Sequence, residues 1–186
     1  MHWITYSEPS ANRLAAQLQG FGQSTLCESV TRIEPLTPPE PLPQYKPDLI
    51  IALSQHAVAA YLDHYFQPSH RGVVALAIGK TTAARLIEHG ALKVYMPQAA
   101  NSESLLAMPQ VRALQPSQRV WLLTGDGGRD LVASTLAERC QFQRLSLYRR
   151  EKRQFALPSG FQPKAIWVGS IHGLQQVDVA LEPLKI

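Results

Sequence analysis

The sequence predicts an α/β fold of two similar doubly wound parallel-sheet domains, one inserted in the other. Short apolar runs alternate along the chain with amphipathic helical stretches, which is typical of parallel sheets. One turn occurs twice, because the apolar runs that reach Ser54 and Ser170 both continue as Ser-x-His. Residues 35–47 carry six prolines in thirteen positions, and the stretch 151–163 is polar with Pro and Gly. A repeated turn and two breaks in composition together indicate two halves with two connectors.

Composition bounds the class of protein. The 186 residues have room for one or two domains, and 45% hydrophobic with 17% charged residues is typical of a soluble globular chain. No apolar stretch approaches the roughly 20 residues of a membrane span, and the first residues lack the basic region of a secretory signal. We therefore expect a cytoplasmic protein with no membrane partner.

Cysteine content and the distribution of charge argue against disulfide-rich, metal-cluster and nucleic-acid-binding proteins. Cys27 and Cys140 are too few for a disulfide framework or a metal cluster, so we expect two buried thiols in a reducing compartment. The net charge of +4 is mild and is typical of a solvated surface, although it would also favour a polyanionic ligand. The one basic cluster, residues 149–153, has no interleaved aromatic residues, so we expect no nucleic acid partner.

The N-terminal segment reads as a βαβ unit. The pattern predicts a strand over Trp3–Tyr6, a helix over Ser10–Gly20 that glycines close, and a strand over Thr25–Ile33, where β-branched residues alternate. At the other end of the chain, Ala165–Gly169 predicts a strand and Gly173–Leu181 a helix. We assign residues 1–36 and 151–186 to one discontinuous domain.

The middle segment, residues 37–150, predicts a doubly wound sheet that is inserted into the first domain. Five apolar runs predict parallel strands, and four helical stretches between them predict crossovers. The strands are Leu49–Leu53, Val73–Ile78, Val94–Met96, Arg119–Thr124 and Phe142–Tyr148, and the helices are Ala57–Tyr65, Thr82–Glu88, Glu103–Met108 and Asp130–Arg139.

Four turns follow predicted strands and open helices. They begin at Ser54, Gly79, Gly125 and Ser170. Ligands of a doubly wound sheet bind outside the carboxyl ends of its strands. A helix N-terminus there presents unpaired N–H groups and about half a positive charge, which favours carboxylates or phosphates.

Two nucleotide-binding motifs fail at these turns. A P-loop would need a glycine where the chain has Val74. A dinucleotide fingerprint from Gly125 would need a third glycine at Asp130 and would have to follow the first strand. Neither nucleotide hydrolysis nor dinucleotide binding is therefore expected.

The serine, histidine and tyrosine side chains at these turns each have two interpretations. Ser54 and Ser170 can be nucleophiles, but they lack the glycines of a nucleophile elbow, so helix capping is favoured. His56 and His172 can be acid–base groups or metal ligands, but without a third ligand they read as first-turn surface residues, and we expect no metal. Tyr148 at a strand end fits a core aromatic residue as well as a functional one.

Taken in order, these segments resemble the uroporphyrinogen-III synthase family. The similarity runs from about residue 2 to 180, and the ordered set is more specific than any one motif. It is carried by Leu49–Val58, by Ala77–Leu86 with its Gly-Lys-Thr-Thr, by Arg119–Arg139 with its Thr-Gly-Asp-Gly-Gly-Arg, by Leu145–Arg150 and by Ala165–Leu174. The family has two similar α/β domains, one inserted in the other and joined by a two-stranded connector.

The resemblance implies a lyase of porphyrin and heme biosynthesis. Its substrate would be hydroxymethylbilane, a linear tetrapyrrole with eight carboxylates, and its product uroporphyrinogen III. Water is lost, the ring closes and the last pyrrole is inverted through a spiro intermediate. No metal or organic cofactor is implied, and we expect a monomer whose catalysis is mostly positioning.

The same resemblance assigns roles to residues of this sequence. Tyr148 matches the family's strand-end tyrosine and would help the hydroxyl group leave, by hydrogen bonding or proton donation. The substrate-binding residues would hold carboxylates mainly through backbone N–H groups, from turns that face one another across one site. They are Ser54, Gln55, His56 and Thr82 on the inserted domain, and Ser170, Ile171, His172 and Gly173 on the other.

Two departures keep alternatives open. Ser7-Glu8-Pro9 stands where the family has a Thr-Arg-Pro-like triplet, which reverses a charge. The family continues past the position of Ile186 with two further βα units, so a fragment, a truncated gene and a naturally short form all fit. A non-catalytic tetrapyrrole or polyanion binder is therefore the alternative function. A flavodoxin-like module is disfavoured, because Ser54-Gln-His-Ala-Val is not a Ser/Thr-rich phosphate loop.

Overall fold

A parallel sheet forms in the middle of the chain because five short runs of Ile, Val, Leu and Trp are separated by segments long enough to cross over. The computed structural model describes residues 1–37, 45–127, 130–170 and 173–177. It divides into two compact units, residues 35–149 and residues 1–34 with 150–186.

The larger unit holds most of a six-stranded sheet with helices between the strands. The strands of this sheet are β3 (Thr31–Pro35), β4 (Leu49–Ala52), β5 (Val74–Ala77), β6 (Lys93–Tyr95), β7 (Arg119–Gly125) and β8 (Gln141–Lys152). Its helices are α2 (Gln55–His64), α3 (Lys80–Glu88), α4 (Ser102–Leu106), α5 (Pro109–Arg112) and α6 (Leu131–Arg139). The strand order is β3-β8-β7-β4-β5-β6, and every pairing from β8 to β6 is parallel.

This order makes the sheet doubly wound. The chain moves outward from β4 through β5 to β6, then returns to the other side of β4 and moves outward through β7 to β8. The direction therefore reverses between β4 and β7, and a crevice opens at such a switch point at the carboxyl ends of the strands. The fold class that the sequence predicts is confirmed.

Successive side chains of β4 and β7 point to opposite faces of the sheet, and helices bury the apolar side chains on both faces. Ile51 and Leu122 point to the face where Leu105 of α4 and Leu136 of α6 complete a buried cluster. On the opposite face, the ring of Trp121 meets that of Tyr61 from α2 edge-on, at 6.3 Å between centroids. Apolar surface is therefore buried on both faces of the sheet. The candidate site lies at the end of the sheet that is formed by the carboxyl ends of the strands.

The smaller unit contains a three-stranded parallel sheet. β1 (His2–Ile4) lies between β2 (Thr25–Cys27) and β9 (Ala165–Trp167), and α1 (Ser10–Gly20) packs on it. Trp3 is fully buried beneath Val30 and Val177. Residues 173–177 are helical.

The two strands that lead from one unit to the other pair with each other as β3 and β8. The Leu36 N–H donates to Leu147 O, and the Arg153 N–H donates to Val30 O, so residue numbers rise along one strand as they fall along the other. Arg32 Nη2 lies 2.7 Å from Glu151 Oε2 on the same pair. The predicted linkers therefore begin as an antiparallel ribbon.

Two strand predictions are wrong in extent. Thr25–Ile33 is not one strand but β2 and β3, which belong to different sheets. The Ser29 hydroxyl donates to Thr31 O at 2.6 Å and turns the chain between them. The strand predicted over Phe142–Tyr148 continues to Lys152, because pairing with β3 prolongs it.

The prediction of two buried cysteines needs correction, two short helices were not predicted, and two predicted segments lie partly outside the described residues. Cys27 is exposed, because it ends β2 at the edge of the small sheet, whereas Cys140 is half-buried. The pattern missed α5 and a 3-10 helix at Pro68–Gly72, both too short to show periodicity. Residues 38–44 of the predicted linker and 178–181 of the last predicted helix lie outside the described residues.

Candidate active site

Ser54 follows β4 at the switch point and opens α2. Its backbone is extended, with φ −159° and ψ 143°, and its Oγ accepts the His56 N–H at 3.1 Å. This is the N-cap geometry predicted from sequence. The first turn of α2 therefore directs its amides and the positive end of its dipole out of the carboxyl edge of the sheet.

Tyr148 reaches the same place from β8 because of a β-bulge. Thr124 of β7 pairs with Ser146, but the next residue, Gly125, pairs with Tyr148, so Leu147 is an extra residue in β8. Both Leu147 and Tyr148 are consequently buried, which simple alternation would not allow. The Asp126 N–H donates to Tyr148 O at 2.6 Å and holds the bulge in place. Bulges of this kind often re-aim a side chain beside an active site.

The Tyr148 hydroxyl donates a hydrogen bond to Ser54 Oγ at 3.0 Å. Ser54 Oγ thus accepts from both Tyr148 and the His56 N–H, which occupies its two lone pairs. The proton of Ser54 is therefore directed to a further acceptor. The His56 ring lies 5.5 Å from the Tyr148 ring, centroid to centroid, and Ser54, Gln55 and His56 are each partly exposed. Ser54 and His56 from the turn into α2 thus meet Tyr148 from β8 at one point.

The Gly79 turn opens α3 at the end of the neighbouring strand β5. Gly79 is the N-cap, Lys80 and Thr81 are exposed, and Thr82 is only 3% exposed. The predicted binding residue Thr82 therefore presents no hydroxyl to solvent, and any contact with an anion falls to the backbone N–H groups of the first turn.

The second copy of the turn lies in the smaller unit. The Gly173 N–H donates to Ser170 Oγ at 3.0 Å, and the Leu174 N–H donates to Ser170 O at 2.9 Å, so Ser170 caps the helical residues 173–177. A Cβ on Gly173 would lie 3.1 Å from Ser170 Oγ. The predicted residues Ile171 and His172 lie outside the described residues.

Sequence reasoning missed the part that Gly125 has in the site. Gly125 was predicted to begin one of the four helix-opening turns and failed a nucleotide motif, but no contact with Tyr148 was predicted. In the structure, a Cβ on Gly125 would lie 2.7 Å from Cζ of Tyr148. The available signal was a glycine that ends a buried strand next to another strand that ends in tyrosine, and such a glycine marks a close approach.

Neither a metal site nor a membrane span is found in the part of the chain that the structure describes. Its His, Cys, Asp and Glu side chains form no group of three that could hold a metal ion. None of its helices is long and apolar enough to cross a bilayer.

Comparison with known proteins gives consistent matches. The family model described as uroporphyrinogen-III synthase HemD matches residues 12–166. The uroporphyrinogen-III synthases of Escherichia coli K12 and Salmonella typhimurium LT2 are 32% and 33% identical over 148 and 145 residues, 73% of this chain in each case. This chain spans 58% of the length of each of these curated relatives.

Solved structures support the fold. A uroporphyrinogen-III synthetase from Helicobacter pylori 26695 superposes with a TM-score of 0.59 at 16% identity, covering 97% of this chain and 76% of that one. A mutant uroporphyrinogen III synthase from the extremely thermophilic bacterium Thermus thermophilus gives a TM-score of 0.55 at 20% identity, covering 82% of this chain and 63% of that one.

Proposed function

This chain belongs to the uroporphyrinogen-III synthase family, and from this premise we propose that it acts in tetrapyrrole biosynthesis as a lyase. It cyclises hydroxymethylbilane to uroporphyrinogen III, with loss of water and inversion of the last pyrrole ring. The observation that carries the proposal is the hydrogen bond from Tyr148 to Ser54 Oγ at the N-terminus of α2. It places a proton donor beside an anion-binding helix end.

The proposed mechanism uses this pair as a short proton relay. Tyr148 is 3% exposed, so its proton reaches a substrate by way of the partly exposed Ser54. As the C–O bond of the hydroxymethyl group breaks, Ser54 donates its proton to the leaving oxygen and receives the proton of Tyr148. Water departs, and the electron pair of the adjacent pyrrole nitrogen stabilises the carbon left behind. Ring closure then releases a proton from the attacking pyrrole carbon, and this proton returns through Ser54 to Tyr148. General acid assistance of this kind contributes about 10²–10⁴-fold to a rate.

Carboxylate binding is assigned to the helix N-termini. Ser54, Gln55 and His56 open α2, and the turn up to Thr82 opens α3. The Ser170–Gly173 turn, with Ile171 and His172, is the further binding segment. Each turn offers first-turn amides and a positive dipole end, which together suit an anion. Such binding folds a flexible polyanion into one geometry, and correct positioning can supply most of a cyclisation barrier.

The remaining features of the proposal follow from the same class of enzyme. We propose a cytoplasmic monomer that needs no metal or organic cofactor. The two compact units are proposed to be the two domains expected from sequence, the larger one inserted in the smaller.

One assay tests the function. The protein is incubated with freshly prepared hydroxymethylbilane, the products are oxidised, and the porphyrin isomers are resolved by chromatography. We expect the type III isomer to exceed the type I isomer that forms spontaneously, and Tyr148→Phe to reduce that excess. Type I product alone, in the presence of enough protein to bind all the substrate, would reject the activity.

A non-catalytic binder of tetrapyrroles is the second candidate. It is motivated by Glu8, which stands after β1 where the family resemblance implies an arginine, so the set of charges expected of the enzyme is altered. If the protein is such a binder, we expect it to bind the linear tetrapyrrole tightly and the isomer assay to give type I product only.

A further inference from the structure

Tyr148 can occupy its position only because the neighbouring strand has no side chain at residue 125. We propose that Gly125 is a positioning residue: because it has no side chain, it leaves the space in which the phenol ring of Tyr148 lies next to Ser54. The inference rests on the proposed function, in which Tyr148 supplies a proton. It adds a residue that touches no substrate but fixes the donor.

The first support is the closeness of ring and backbone. A Cβ on Gly125 would lie 2.7 Å from Cζ of Tyr148 and 3.0 Å from both Cε1 and Cε2. Folded proteins essentially never show a Cβ closer than 3.0 Å to such an atom, so the separation of 2.7 Å from Cζ requires either the ring or β7 to move. The blocked atoms are Cζ, which carries the hydroxyl group, and the two ring carbons bonded to it.

The second support is that the ring has little room to move. Tyr148 is 3% exposed, and its backbone is held by the bond from the Asp126 N–H. Its hydroxyl is bonded to Ser54, and its ring stands beside that of His56. Since interiors are close-packed, a methyl group at 125 would displace the ring by several tenths of an ångström and take the hydroxyl off its line to Ser54.

The third support is the register of the strands. The bulge brings Tyr148, rather than Leu147, opposite Gly125. The extra residue of β8 and the missing side chain of β7 therefore work together, because either alone would leave the ring without a place beside Ser54.

The test uses the chemistry of the blocked atoms. Phenylalanine at 148 retains Cζ and both Cε atoms, whereas leucine has none of them. Gly125→Ala should therefore lower the midpoint of thermal unfolding in the wild-type and Tyr148→Phe backgrounds by several degrees. In the Tyr148→Leu background we expect it to be neutral or to raise the midpoint. Gly72→Ala is the matched control, because a Cβ there meets nothing within 4 Å.

A second readout follows the ring itself. In protein labelled with ¹³Cζ-tyrosine, the Tyr148 resonance is assigned by its loss in Tyr148→Phe. Gly125→Ala should shift that resonance and lower kcat about 10–100-fold with KM within about twofold, because a displaced donor slows chemistry more than binding. Gly72→Ala should do neither.

Two results would overturn the inference. One is an equal loss of unfolding midpoint in the Phe and Leu backgrounds, and the other is an unmoved Tyr148 resonance in Gly125→Ala. Neither depends on turnover. If the wild-type chain forms no type III isomer, the proposed function fails, while the unfolding and resonance measurements still decide whether Gly125 positions Tyr148.

Discussion

Ser54 combines a structural and a chemical task in one hydroxyl group. Its oxygen caps α2 by accepting the His56 N–H and also accepts the Tyr148 hydroxyl. Capping was predicted from the sequence, because serine at the end of an apolar run is a common N-cap. The bond to Tyr148 was not, since the two residues are 94 positions apart.

The two tasks of Ser54 can be separated by substitution. Glycine is an adequate N-cap that costs only a few tenths of a kcal/mol, whereas alanine costs about 1 kcal/mol. We expect Ser54→Gly to unfold near the wild-type midpoint yet to lose type III synthesis as fully as Ser54→Ala, because both lack the relay hydroxyl. Ser54→Thr should retain both properties. Wild-type turnover by Ser54→Gly would mean that only the cap matters.

Removing the hydroxyl of Tyr148 tests the proton donor directly. We expect Tyr148→Phe to lower kcat about 10²-fold or more, because general acid assistance is lost. The lost hydrogen bond should cost only about 0.5–1.5 kcal/mol of unfolding free energy. Comparing single-turnover rates with denaturant unfolding separates the two effects. Full activity in Tyr148→Phe would show that the tyrosine serves packing alone.

At the level of secondary-structure elements, the site depends on where the strands end and on their register at those ends, and less on the residues within them. β7 ends in Gly125, β8 is shifted by its bulge, and β4 ends two residues before the N-cap Ser54. Hydrophobic periodicity locates such strands but carries no information about register at their ends. Hydrophobic periodicity therefore does not predict a β-bulge such as the one at Leu147.

The Ser170 turn gives a prediction for one helix start. A Cβ on Gly173 would lie 3.1 Å from Ser170 Oγ and 3.6 Å from Cγ1 of Val168. We expect Gly173→Val to destabilise the protein by about 1–3 kcal/mol through overcrowding, and to weaken uroporphyrinogen III binding as measured by tryptophan fluorescence. Gly20→Val is the control, since nothing lies within 4 Å of its Cβ position. Equal behaviour of the two variants would contradict a binding role for this turn.

For the molecule as a whole, a buried histidine makes stability depend on pH. His70 is 4% exposed, its Nδ1 accepts the Gln67 N–H, and the Tyr61 hydroxyl lies 2.8 Å from the same nitrogen. Burial, aided by the charge of Lys46, lowers the pKa of His70 below its ordinary 6.5. Burial also raises the pKa of Tyr61, which keeps that hydroxyl protonated.

The sign of the pH effect follows from these shifts. The unfolded chain takes up a proton on His70 at a higher pH than the folded one, so the stabilisation is complete above about pH 6.5 and is lost as the pH falls through the folded pKa. We expect the unfolding free energy to decrease on acidification from pH 7, by at most about 1.4 kcal/mol per pH unit from this group. Urea unfolding should show a flatter profile for His70→Gln, whereas exposed His89→Gln should follow the wild type. Identical profiles for wild type and His70→Gln would reject the assignment.

Much of the fold was readable from the sequence because burial leaves a strong local signal. The runs at Leu49–Ala52 and Val74–Ala77 are apolar at every position, as strands covered on both faces must be. The single strand predicted over Thr25–Ile33 was wrong, because β-branched residues indicate an extended backbone but not the sheet to which it belongs.

The sequence by itself determined the doubly wound architecture, the helix-opening turns at Ser54 and Ser170, and the family resemblance, since each depends on local patterns of residues and on their order along the chain. Only the tertiary structure decided that Tyr148 bonds to Ser54, that Thr82 is buried and that Gly125 leaves room for a ring. These depend on strand order and on a single extra residue in β8. Contacts across a sheet are fixed by packing at distances of a few ångströms, and no local pattern of residues encodes them.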